Sequence, residues 1–354
     1  MTEAWKLLDP ELRRYIDYLQ RNLLSEGSEA AHDPTRYMTW ISANRGRLIE
    51  IASNSGASAD LVDEMEAQLA EHKPMSSFDS VVARSIFQPM VDDVLLASEA
   101  LGMRPQRPVI FANSTDVGPS AAARPSSGEH LLFAGAGTFA FCNYWAKLIA
   151  QISVQFHAQF GGLRMTRDRL LKSAAMERGP FVDACRLVLY CGQAGSAIGF
   201  GEVVTSVPSN AFRMELLCAM ELFVVAHEVG HCFVEERRGP EHPVGPEEEL
   251  TCDAYALAIS RSVGNTRNNW SAFCGAGGVL TLRTTDLCFP HHDGIAPNPL
   301  LGPHPVSARR ISSLERLVNR FTDSDQVTQS EMYLRELHEI VDVVSYLSEE
   351  ALRT

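Results

Sequence analysis

The feature that most constrains this chain is the stretch AFRMELLCAMELFVVAHEVGHCFVEER, residues 211 to 237. Ser209 or Asn210 can cap a helix here, and as far as Ala226 its apolar residues occupy every side rather than one stripe. A helix that is apolar all round has to be enclosed, so it is expected at the centre of the fold. Into that helix the sequence places His227, Glu228 and His231. Polar and charged groups in such a position are costly unless they are paired or bind a metal.

Histidines four apart lie on one helical face, one turn from each other. Both imidazoles can then reach one tetrahedral Zn2+, with Glu228 beside the open coordination position. From there Glu228 can take a proton from metal-bound water and pass it to a leaving amine. Two satisfied core histidines would give the same five letters, so HEVGH alone leaves the matter open. Gly230 keeps the adjoining face thin, letting a neighbouring element or a substrate approach closely.

A third ligand is needed. Past the turn RRGPEHPVGP comes EEELTCDAYALAIS, in which Pro246 suits a first helical turn. Glu249 and Asp253 are one turn apart on one face of that helix. Glu249 fits as the third zinc ligand, and Asp253 as the carboxylate that orients a ligand histidine through its far ring nitrogen. A helix dipole favours acids in a first turn, which covers Glu247, Glu248 and Glu249 in general but not Asp253. Glu248 is the alternative ligand if the register shifts by one. Cys232 and Cys252 adjoin proposed ligands, but one residue along a helix is a turn of about 100°, so both are expected as buried thiols facing away from the metal. Tyr255 is expected in the core.

HEVGH followed on a second helix by Glu249 and Asp253 resembles the gluzincin metallopeptidases, whose motif is HExxH plus a downstream Glu. The interval from His231 to Glu249 is 18 residues (249 − 231), closer to thermolysin-like and phage-exclusion (Lit-type) peptidases than to prenyl-protein (CAAX) peptidases. GPHPVSARRISSLERL, from Gly302 to Leu317, resembles the HP-x4-R-I segment that follows the metal site in several such families. HLLFAGAGTFAFCNYWAKLI, from His130 to Ile149, is similar to their edge strand plus helix. The resemblance runs from about Pro108 to Val318. It implies a zincin-like catalytic domain, a zinc-bound water with Glu228 as base, and an extended peptide pairing with the edge at Leu131 to Ala134. It also offers His304 and Arg310 as oxyanion donors, with Arg310 alternatively a structural partner for the acidic ligand shell. His291 and His292, in FPHHDG, are expected on a surface loop. LHEIVD, with His338, lacks a second histidine and is a decoy.

The fold expected is mainly α with a small β-sheet. Residues 1–105 read as a helical N-terminal module, with helices at Ala4–Leu24, Pro34–Ser53, Ala59–His72 and Ser77–Ala100, the last interrupted near Pro89. Residues 106–354 read as the metallopeptidase domain. Within it, Pro108–Asn113 and His130–Ala134 would flank a flexible loop, 114–129, as a long hairpin. Thr138–Gln159 has helical spacing. Phe181–Val207 is ambiguous: CRLVLYC could be strand or buried helix, and glycines at 192, 195, 199 and 201 argue for turns.

A net charge of -13 argues against nucleic acid as partner. The first twenty residues lack the layout of a signal peptide, and the most apolar run, Leu131 to Ala146, is short for a bilayer, so no membrane partner is expected. Eight scattered cysteines without a CxxC pair suit a reducing cytoplasm. The function expected is a zinc-dependent endopeptidase acting on a protein or peptide substrate. The alternatives are a zinc-stabilised binding protein, or a latent peptidase module released when a regulatory partner moves the N-terminal helices.

Overall fold

Helix α8, Val207–Arg238, runs through the middle of the molecule. Among the described residues it packs against helices α4 (Val81–Ala100), α5 (Ala136–Phe160), α9 (Pro246–Arg267), α10 (Trp270–Phe273) and α11 (Ala276–Cys288), and against strands β2 (Ala122–Pro125) and β3 (His130–Gly135). By length and composition α8 could cross a membrane, but 78% of its most apolar window is buried inside the fold. Its all-round apolar surface is thus consumed by protein neighbours, as the sequence requires. The chain, seen in a computed structural model, is described at residues 10–23, 34–54, 58, 60–71, 78–119, 121–126, 128–203, 205–238, 245–289, 307–321 and 324–353.

The remaining described elements are helices α1 (Pro10–Leu23), α2 (Pro34–Asn54), α3 (Asp60–Glu71), α6 (Arg167–Met176), α7 (Gly179–Ala194), α12 (Ser307–Phe321) and α13 (Ser324–Arg353), and strand β1 (Val109–Ser114). The protein is therefore mainly α with one small sheet. CRLVLYC belongs to α7 and is helix, while the described residues from Gly195 to Ser206 are turns and irregular chain. In α7, Phe181, Ala184, Leu187, Val188 and Cys191 recur at helical spacing and are buried. Pro89 does not interrupt α4. Phe87, Val91 and Val94 are fully buried on either side of it, and that packing holds one continuous helix at the cost of a lost backbone bond. Although α4 precedes residue 105, it shares its core with α8 and α9.

The sheet departs from the expected hairpin. Its order is β1-β3-β2, with β1 parallel to β3 and β2 antiparallel to it. Parallel neighbours cannot be joined by a tight turn, and the intervening chain supplies the third strand instead. The hairpin is β2–β3, closed where the Ser126 N–H donates to the Glu129 carbonyl at 2.9 Å. The expected flexible loop thus contains a strand. β3 is also not an edge: it is the middle strand, buried along its whole length, and so reads as a continuous apolar run.

The two true edges are treated differently. α1 lies on the outer face, with Ile16 fully buried among Ala112, Leu131 and Phe133. Its Gln20 amide donates to the Asn113 carbonyl of β1 at 2.8 Å, and Thr115 donates its hydroxyl to the Gln20 carbonyl at 2.6 Å. α1 thus covers that face and occupies the Asn113 carbonyl at the β1 edge. β2, the other, lies against α8. At the end of α8, Glu236 accepts the N–H groups of Gln106 and Arg107 at 2.6 and 2.8 Å and meets His130 Nε2 at 2.8 Å. Glu235 accepts from Arg107 Nη2 at 2.9 Å. The acidic pair closing VEE therefore fixes the sheet relative to the helix that carries His227 and His231.

Candidate metal centre

His227 and His231 project from α8 toward the first turns of α9, with rings nearly perpendicular and centroids 4.9 Å apart. Helix α9 can come this close because position 230 is glycine. A Cβ there would stand 3.2 Å from Cys252 Cα and 3.3 Å from the Tyr255 ring. The thin face inferred from Gly230 is thus filled by α9, whose Pro246 occupies the first turn and whose Gly245 is the N-cap.

Glu249 lies between the two imidazoles. One carboxylate oxygen is 3.3 Å from His227 Nε2 and the other 3.5 Å from His231 Nε2. Ligands about 2.0–2.1 Å from a tetrahedral zinc are separated by roughly 3.3 Å, so each oxygen stands near ligand spacing from one imidazole nitrogen. A carboxylate oxygen of Glu228 lies within 4.8 Å of both histidine nitrogens. Its Oε2 accepts the N–H of Ala123, on β2, at 2.8 Å.

The far side of each imidazole meets a carboxylate from α9. His227 Nδ1 is 3.0 Å from Asp253, the carboxylate expected behind one of the ligand histidines, and His231 Nδ1 is 3.0 Å from Glu248. Glu248 is therefore placed behind a histidine, while Glu249 occupies the position between the two. Cys252 is buried with Sγ 3.4 Å from His231 Nδ1, on the side away from Glu249. Two adjacent rows of α9, Glu248 with Cys252 and Glu249 with Asp253, thus embrace the two histidines. The sequence held a signal for Glu248: a second ligand histidine needs its own orienting group.

Arg310, from α12, grips Asp253 with both arms, Nε at 2.7 Å and Nη2 at 2.6 Å. Its Nη1 is 3.4 Å from Glu249, and Nη2 is 3.5 Å from His227 Nδ1. The guanidinium thus stands behind His227 as partner of the acidic shell. His304, His291 and His292 lie outside the described residues. Cys232 is buried and bonds within its own helix, Sγ to the Glu228 carbonyl at 3.5 Å, and Tyr255 is core. His338 sits in a different cluster, 2.7 Å from Glu315 and 3.1 Å from Arg283.

Charge gives an independent test of fit. Glu249 and Asp253 pair with Arg310, Glu248 meets His231, and Glu228 adds a fourth carboxylate, a negative balance among the described residues that a divalent cation would offset. The protonation of His227 expresses the same demand. Burial pulls its pKa down, yet the hydrogen bonds to Asp253 and Glu249 outweigh that and raise it to about 9. Burial works likewise against the Asp253 carboxylate, and bonds from Arg310 and His227 overcome it to hold the carboxyl below its ordinary value. Two imidazole nitrogens and a carboxylate oxygen are the donor set zinc takes in hydrolytic sites.

Comparison with known proteins finds no matching family model, no similar curated protein and no similar solved structure. The functional reading therefore rests on the geometry of this centre.

Proposed function

We propose that the chain is a zinc-dependent endopeptidase with a gluzincin-type site, acting on protein or peptide substrates in the cytoplasm. The observation that carries the reading is the Glu249 carboxylate, with one oxygen 3.3 Å from His227 Nε2 and the other 3.5 Å from His231 Nε2, and Glu228 beside them. All eight cysteines are free, which suits a reducing compartment.

His227, His231 and Glu249 would hold the metal, and bound zinc supplies Lewis acidity toward water and a scissile carbonyl. Asp253 and Glu248 keep the two Nε2 atoms turned toward Glu249, and Arg310 balances Asp253. Glu228 takes a proton from the attacking water on its carboxylate and returns it to the leaving amine. An extended substrate would lie along β2, the edge beside Glu228, rather than along β3. Comparing cell proteomes incubated with wild type and Glu228→Gln tests the reading. New peptide termini produced by wild type alone are expected, and identical termini from both would contradict it.

A latent form of the same module is the second reading. It is favoured by the Ala123 N–H held on Glu228.

A further inference from the structure

β2 closes the sheet on the side of the metal centre. In its antiparallel ladder with β3, Ala122 faces Phe133, Ala123 faces Leu132 and Arg124 faces Leu131. Bonding directions alternate along a strand, and the N–H and C=O of one residue point to the same side. The Ala123 N–H points away from β3, since it donates to Glu228 Oε2 at 2.8 Å. Its carbonyl accepts from Nη1 of Arg124 at 3.2 Å. Pro125, next on that side, has no N–H to offer, as befits an edge. The outward pair of Ala123 is thus where an added strand would bond, and both of its groups are taken by charged side chains of the chain itself.

We propose that Glu228 and Arg124 are resident placeholders on Ala123, and that an arriving peptide strand displaces them. Docking and release of the Glu228 carboxylate are then one exchange. Before docking, one Glu228 oxygen is committed to the backbone. Afterwards the Ala123 N–H bonds to a peptide carbonyl, and that oxygen is available to the reacting water. The base is thereby freed only when a chain lies on the edge, which keeps the site quiet without requiring movement of any helix. The identity of the displacing chain rests on the peptidase reading; the contact between Glu228 and Ala123 does not.

Hydrogen–deuterium exchange at the Ala123 amide tests this on the zinc-loaded full chain, alone and with a hydroxamate-capped dipeptide as probe. In Glu228→Ala, Ala123 is expected to exchange at least about tenfold faster than in wild type, as loss of a bond to a charged acceptor implies. Arg124, whose N–H faces β3, should be unchanged. Saturating hydroxamate should restore slow exchange at Ala123 in the variant. Glu228→Gln, which keeps an accepting oxygen, should fall between and serves if the alanine variant is poorly folded. Equal Ala123 rates in wild type and both variants overturn the placeholder role. A hydroxamate that binds yet leaves Ala123 fast in Glu228→Ala overturns the exchange while the peptidase reading stands. A hydroxamate that does not bind, with the unliganded rates differing as expected, overturns the peptidase reading and the exchange with it.

Discussion

At the scale of single residues, the centre consists of two imidazoles, one shared carboxylate and a carboxylate behind each ring. The outer pair is expected to act on affinity rather than on the fold. Glu248→Gln should weaken zinc binding by about 10- to 100-fold, measured by competition with a chromophoric chelator, and leave the circular dichroism unchanged. Asp253→Asn should do the same and cost stability as well. It removes the charge that Arg310 grips with two bonds and leaves the guanidinium only Glu249, 3.4 Å from Nη1, so the cost falls below the about 3–5 kcal/mol of a buried charge left unpaired. A melting temperature for Asp253→Asn equal to that of Glu248→Gln would contradict the role given to Arg310. The positions legible in advance were those with a fixed spacing: His227 to His231, and Glu249 to Asp253. Glu248 is legible in the sequence only as an acid of a dipole-favoured turn and as the alternative ligand for a register shifted by one, not as the group behind His231. Only the placement of His231 against α9 gives it that role.

At the scale of elements, α8 was legible because a run apolar on every side has one place to go. β2 was not legible. Ala122, Ala123, Arg124 and Pro125 carry none of the branched or aromatic side chains that favour strands, and pairing with β3 alone makes them one. That omission turned a parallel pair into an expected hairpin and the middle strand into an expected edge. Contact between α8 and α9 depends on Gly230, since a side chain there meets backbone and a buried ring. Gly230→Val should lower the melting temperature and the zinc affinity together, whereas an unaltered affinity would mean that α9 adjusts without moving Glu249. α8 also buries Glu221, 2% exposed, whose carboxyl is pushed up to about 8 by burial, with the Arg213 charge pulling the other way. The folded state therefore keeps a proton that the unfolded chain loses at the ordinary value of 4.5. Between these values the native state binds more protons, so stability from this group falls as pH rises from about 4.5 to about 8 and is level above. Glu221→Gln should stabilise more at about pH 8.5 than at about pH 5, read as the difference in melting temperature from wild type.

At the scale of the whole molecule, helices wrap α8 while a three-stranded sheet presents one edge beside the centre. α1 packs on the outer face of the sheet and bonds the Asn113 carbonyl, so the first described helix takes part in shaping the sheet rather than standing apart from it. A cation shared by α8 and α9 should tie these helices together, and binding to the native state alone stabilises it by mass action. Chelation should accordingly lower the melting temperature of wild type by several degrees and leave Glu249→Ala unaffected. The most direct measurement is the metal content of the purified chain by inductively coupled plasma mass spectrometry, for wild type, Glu228→Gln and Glu249→Ala. The expected result is about one zinc per chain in wild type and in Glu228→Gln, and loss of that zinc in Glu249→Ala. A wild-type chain without zinc after growth and dialysis in zinc, or a Glu249→Ala chain that retains it fully, would contradict the proposed metal centre.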